Sequence, residues 1–230
     1  MKVVKKYVFW SAKSSGNTLI SLNMALTHQQ WKGEQKVCFL QLSHFPDIHT
    51  YLEEAPKQTI LDLKYFLDAD ETPDTYPKDT YPSPLWNEWE ELKVKDVKNI
   101  LAFLEKKYDT IYIDLNVSVG EEIISAILNE ATKIVLPCHI DPASLAGVES
   151  FFSKYDFLKE RCVLIFNQCP PLSASVVKQK LKRRDIKVLG TLPVARKYMW
   201  AQIFEAVPLA MRKKCPWKKS LFKLLKKLNE

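Results

Sequence analysis

The residues best placed to do chemistry lie in a small polar loop, Ser11-Ala12-Lys13-Ser14-Ser15-Gly16-Asn17-Thr18-Leu19, between a strand-like run and a helical pattern that begins Ile20-Ser21-Leu22-Asn23-Met24-Ala25. A loop of this kind entering a helix can cradle an anion. Backbone N–H groups at the helix N-terminus point outward, and the helix dipole adds positive potential there. Thr18 can offer a hydroxyl to Mg²⁺, and Asp114, at the end of a later strand-like run, can offer a carboxylate. The plainer alternatives are a simple turn capping a helix and a solvated carboxylate at a strand end. Other chemistry finds less support. His28, His44, His49 and His139 are scattered at spacings that fit no metal motif, and no nucleophile elbow or Cys/His dyad can be placed. The five cysteines form no CxxC pair and read as reduced structural thiols of a cytoplasmic protein.

Positioning the loop requires strands and helices in alternation, and the sequence supplies them. Short β-rich apolar runs cover 7–10, 37–42, 110–114, 133–137, 163–167 and 187–189. Between them, apolar residues three and four apart predict helices over 18–30, 94–107, 121–129, 145–155 and 173–183. Strand-helix alternation predicts an α/β, doubly wound, mostly parallel sheet with helices on both faces. The stretch 68–84, with Pro73, Pro77, Pro82 and Pro84 among acidic residues and tyrosines, reads as a surface loop. The organisation expected is a main domain over 1–211 and a separate basic helix over 212–230. No run is long and apolar enough to suggest a spanning helix, and the N-terminus does not read as a secretory signal.

The formal net charge of +7 is concentrated at the end of the chain. Residues 212–230 hold eight basic residues against Glu230 alone, so the remainder is neutral overall. Trp217, Leu221, Leu224, Leu225 and Leu228 fall on one helical face, with Lys219, Lys223, Lys226 and Lys227 largely on the other. Such a helix can rest on an anionic membrane, leucines among acyl chains and lysines near headgroups. It can equally dock on the domain itself or on a partner. Nucleic acid is the weaker alternative, because aromatic residues are not interleaved among the lysines.

Several motifs in sequence resemble the MinD/ParA superfamily of P-loop proteins with a deviant Walker A region. Ser11-Ala12-Lys13 and its loop are similar to the K-G-G-x-G-K-T signature, and Tyr108-Asp109-Thr110-Ile111-Tyr112-Ile113-Asp114 to the strand that ends in a magnesium-linked aspartate. Asp141-Pro142-Ala143-Ser144-Leu145, Val163-Leu164-Ile165-Phe166-Asn167 and Val188-Leu189-Gly190-Thr191-Leu192-Pro193 follow in the family's order, from about residue 7 to 209. The resemblance implies a P-loop NTPase-like fold that takes ATP or ADP with Mg²⁺. Lys13, Ser14, Ser15, Gly16, Asn17 and Thr18 would contact phosphate, Thr18 and Asp114 the metal, and Asn167 and Pro193 the base. Lys13 matches the lysine that relatives extend across a homodimer interface. The middle region, Ile60-Leu61-Asp62-Leu63 with Tyr81-Pro82-Ser83-Pro84, looks closest to the CpaE/TadZ branch, which helps place pilus-assembly machinery.

The sequence also departs from the family pattern. The loop is one residue shorter than the signature, Ser14 and Ser15 replace its early glycines, and Asn17 stands where a lysine reaches the β- and γ-phosphates. The second strand ends Leu40-Gln41-Leu42-Ser43, without the two aspartates common in relatives, although Asp47 lies a few residues on. These departures imply a localisation or assembly scaffold with weak or no hydrolysis, serving protein partners in the cytoplasm or at the inner face of a membrane. An active ATP-dependent dimerising switch for partitioning or positioning is the alternative. A collapsed loop at 14–18 belongs to the first reading, and an open nest facing Asp114 to the second.

Overall fold

The strands form where β-branched and aromatic residues run almost without a polar break, which is the pattern of strands covered on both faces. The computed structural model describes residues 3–31, 33, 35–52, 57–71, 76–170, 186–212 and 215–230. Its strands are β1 (Lys5–Trp10), β2 (Val37–Leu42), β3 (Thr80–Tyr81), β4 (Thr110–Leu115), β5 (Lys133–Cys138), β6 (Cys162–Cys169) and β7 (Val188–Pro193). They make one seven-stranded sheet in the order β3-β2-β4-β1-β5-β6-β7, with each neighbouring pair parallel. The helices are α1 (Asn17–Trp31), α2 (Ile60–Asp68), α3 (Val94–Lys107), α4 (Glu121–Glu130), α5 (Pro142–Lys154), α6 (Arg196–Glu205) and α7 (Pro216–Asn229).

Alternate residues of each central strand feed two cores. Val8, Leu40, Ile113 and Leu136 face the core packed by α2 to α5, while Phe9, Phe39, Tyr112 and Val135 face the one packed by α1 and α7. The α/β sheet with helices on both faces is therefore the observed architecture. Register aligns the site: Gln41 of β2 pairs with Asp114 of β4, which pairs with Phe9 of β1, so the three lie in one row near the strands' C-terminal ends.

The structure changes two readings. The stretch 68–84 is not simply a surface loop, because Thr80 and Tyr81 add the edge strand β3 to β2. Tyr76 and Tyr81 are buried with ring centroids 4.3 Å apart, and the Tyr81 hydroxyl lies 2.7 Å from that of Tyr108. The prolines break regular structure without preventing burial, since tyrosine rings can reach the core from an irregular backbone. The basic C-terminal helix, in turn, does not hold its apolar face free for a membrane. Trp217, Leu221, Leu224, Leu225 and Leu228 are all buried against β7 and α1. A Cβ on Gly190 would lie 2.5 Å from Leu224 Cδ2, so the absence of a side chain there lets α7 approach the sheet. The Tyr7 hydroxyl and the Lys133 ammonium both donate to the Leu228 carbonyl, at 3.4 and 2.9 Å, and tie down the end of the helix. The helix expected over 173–183 lies outside the described residues.

Candidate nucleotide site

The β1–α1 loop ends at Gly16, whose φ of +82° is one that glycine adopts without strain. A side chain there would also collide with Asn167, since a Cβ would stand 2.5 Å from its Nδ2. Asn167 is itself buried and donates to the Ser15 carbonyl at 2.9 Å, fastening the loop from beneath. Above the loop is a cavity of about 510 Å³ lined by Lys13, Ser14, Gly16, Asn17, Thr18, Phe45, Asp47, Tyr51 and Val117, among others. The loop residues named from sequence thus gather around one space, apart from the buried Ser15.

Asn17 begins α1, and its side-chain amide donates toward the strand ends. Its Nδ2 donates to the Phe9 carbonyl at 2.8 Å, to Asp114 Oδ1 at 2.7 Å and, more weakly, to the Leu115 carbonyl at 3.3 Å. Gln41 reaches the same cluster from β2, with Nε2 2.7 Å from Asp47 Oδ1 and 3.4 Å from Asp114 Oδ2. The Thr18 hydroxyl is near enough to pull both carboxyls down, and Tyr51 acts on Asp47 in the same direction. Asp114 is only 2% exposed, which excludes a solvated strand-end carboxylate. Burial, and then the charge of Asp47, push its carboxyl up to about 7 against the pull of Thr18, Gln41 and Asn17. Burial raises Asp47 too. A pair of this kind holds a proton near neutrality.

The oxygen-rich cluster has the donor type that Mg²⁺ takes, but not its arrangement. Amide N–H groups face both oxygens of Asp114, whereas Asn17 Oδ1 and Gln41 Oε1 are buried without a hydrogen-bond partner. As the side chains stand, they do not fit a cation at Asp114. Among the described residues, no group of three or more His, Cys, Asp or Glu side chains could hold a metal ion.

The other sequence candidates are more dispersed. Lys13 is half exposed at the cavity mouth, 3.6 Å from Asp141 Oδ1. Asp141 caps α5 through the Ser144 backbone N–H, and Ser144 first, then Lys13, hold its carboxyl down at about 2. Asn167 lies under the loop, and Pro193 pairs with Cys169 at the end of β7; neither lines the cavity. Gln41 and Tyr51 belong to the site and were not singled out for it in the sequence. The signal available was position: Gln41 stands near the end of the second strand-like run, and Tyr51 follows Asp47 by one helical turn.

The geometry can now be set beside known proteins. The structure of a ParA family ATPase from Chlorobium tepidum superposes with a TM-score of 0.81 at 16% identity, covering 98% of this chain and 99% of that one. The chain has the ParA/MinD fold. MinD in the MinC:MinD cell division complex of Aquifex aeolicus shares this fold with a TM-score of 0.77 at 14% identity, over 98% and 96% of the two chains. A putative plasmid partition protein from Borrelia burgdorferi, solved bound to AMPPNP, does so with a TM-score of 0.73 at 16% identity, over 99% of each. No protein-family model matches the sequence, and no curated protein sequence does. The ParA/MinD fold accounts for the strand order and the loop's place in it. It does not account for an asparagine that turns inward at the head of α1.

Proposed function

We propose that this protein is a MinD/ParA-type localisation or assembly scaffold whose nucleotide site has lost hydrolysis and binds nucleotide weakly or not at all. One observation carries the reading. Asn17, at the position of the phosphate-reaching lysine, donates inward to Asp114 at 2.7 Å and to the Phe9 carbonyl at 2.8 Å. Phosphoryl transfer draws most of its catalysis from positioning and from cations aimed at the developing charge. Here an amide replaces the cation and faces the sheet, while the carboxylate that would hold Mg²⁺ is satisfied by N–H donors. Resemblance of the middle region to CpaE/TadZ proteins supports a role in placing pilus-assembly machinery, working with protein partners as a homodimer. With the apolar face of α7 buried, any membrane contact would be limited to its lysines.

An ATP-dependent dimerising switch is the second reading, favoured by the exposed Lys13 at the cavity mouth. Isothermal titration of the full chain with Mg·ATP and Mg·ADP, followed by sedimentation, separates the two. The scaffold reading expects no heat and an unchanged assembly state. Micromolar binding coupled to dimer formation, or ATP turnover abolished by Asp114→Ala, would replace it with the switch.

A further inference from the structure

Charge in this chain is segregated beyond its tail. Residues 45–92 contain twelve acidic residues and three lysines, whereas residues 212–230 contain eight basic residues and one glutamate. Among the described residues, which keep nine of those acidic residues in the first segment and six of the basic ones in the second, the elements that carry them lie far apart. The acidic segment supplies β3 at one edge of the sheet and α2 on the face shared with α3, while α7 packs beside β7, at the other edge, on the face shared with α1.

Each segment presents a prepared surface. On the acidic side, a cavity of about 540 Å³ is lined by Lys57, Asp62, Tyr65, Leu85, Glu88 and Glu91, among others. Beside it Trp86 is 68% exposed, Leu85 57% and Tyr65 47%, next to exposed Glu90 and Glu91. Exposed aromatic and aliphatic anchors around a concavity, ringed by like charges, are the composition of an interface centre with a charged rim. On the basic side, Lys219, Lys223 and Lys226 are exposed at positions i, i+4 and i+7 of α7, and Lys226 lies over the half-buried Phe222 ring at 4.7 Å. The leucine face of that helix is already buried, so only this lysine face is on offer.

We propose that the acidic surface beside β3 receives the lysine face of α7 from a second copy of this chain, so that copies associate head to tail. The two surfaces are opposite in sign and lie at opposite edges on opposite faces, so they cannot meet within one molecule. Their pairing is heterologous, and each added copy leaves one surface of each kind open. A polyanion would satisfy α7 but be repelled by the acidic surface, whereas a second copy satisfies both. The contact involves neither the β1–α1 loop nor Lys13. It is therefore independent of nucleotide and distinct from any dimer built on the cavity.

Sedimentation velocity of the full chain without nucleotide, at about 30 mM and about 500 mM salt, tests this. Assemblies that grow with protein concentration at low salt and dissolve at high salt are expected. Lys219→Glu with Lys223→Glu, or Glu90→Lys with Glu91→Lys, should each weaken association roughly tenfold or more, and mixing the two variants should restore it. Trp86→Ala should weaken it while leaving the circular dichroism spectrum unchanged. Wild-type protein that stays a single species at low salt, charge-reversed variants that associate as before, or a mixture that stays apart would each overturn the proposal. So would association that appears only with Mg·ATP and disappears in Lys13→Ala, an outcome that would instead point to the nucleotide-driven switch.

Discussion

Two amides and two carboxylates define the site at the scale of the residue. Asn17 and Gln41 bring N–H donors to Asp114 and Asp47. Because no lysine neutralises the pair, burial raises both acids. A carboxyl raised to about 7 in the fold keeps a proton that the unfolded chain releases in the ordinary carboxylate range. Stability should therefore fall as pH rises from about 4 to about 7 and then level off, by on the order of 3 kcal/mol if Asp114 bears most of the shift. Urea unfolding at about pH 5 and about pH 8 measures this, and Asp114→Asn should flatten the difference. An unchanged slope in that variant would place the proton elsewhere. Asn17→Ala should cost about 1–3 kcal/mol, because it strips the Phe9 carbonyl and Asp114 of a buried donor. The missing charges at 17 and 41 were legible in the sequence as departures from a pattern. That the replacements turn inward and clamp Asp114 was not, since it depends on a register that sets Gln41, Asp114 and Phe9 side by side across three strands.

Among the elements, α7 shows how an amphipathic pattern leaves its partner undetermined. Periodicity gives the face, but the surface it covers is made by β7 and α1, which are distant in sequence. Leu224 packs over Gly190, so Leu224→Ala should destabilise the protein by about 2–5 kcal/mol in denaturant unfolding. A loss well below 1 kcal/mol would mean that α7 is only loosely docked. Anionic vesicles give a second readout: with the leucines buried, sedimentation with vesicles should be slight and should vanish with added salt, whereas salt-resistant binding would require α7 to undock. Strongly patterned elements were the easiest to read: β2 falls on its expected bounds as a run buried throughout, and α3 on its own because Val97, Ile100, Leu101 and Leu104 repeat at helical spacing among polar residues. Helix α2 was missed although Thr59 and Asp62 form a capping box at its start, a signal present in the sequence as Thr-x-x-Asp. β3 was missed because a two-residue strand among prolines has too little pattern to register.

For the molecule as a whole, the order of motifs carried the fold where individual positions did not. The three solved structures compared above superpose on almost the full chain at only 14–16% identity. Alternating strands and helices with the loop after β1 suffice to specify a parallel sheet, because crossover connections leave few arrangements. That fold does not decide whether nucleotide still binds, and global stability offers a direct test. A ligand present at a hundred times its Kd stabilises the folded state by about 2.7 kcal/mol, which for a chain of this size raises Tm by roughly 5 to 10 °C. About 1 mM Mg·ATP would produce that shift if the site bound with a Kd of about 10 μM. With Asn17 held on Asp114 and only one positive-φ glycine in the loop, the expected shift is within error of zero. Asn17→Lys alone should not create one, because Gly16 would remain the loop's one glycine, with Ser14 and Ser15 beside it. A clear rise in wild-type Tm with Mg·ATP would mean that Asn17 swings out when phosphate arrives, and that the clamp on Asp114 is one state of a working site.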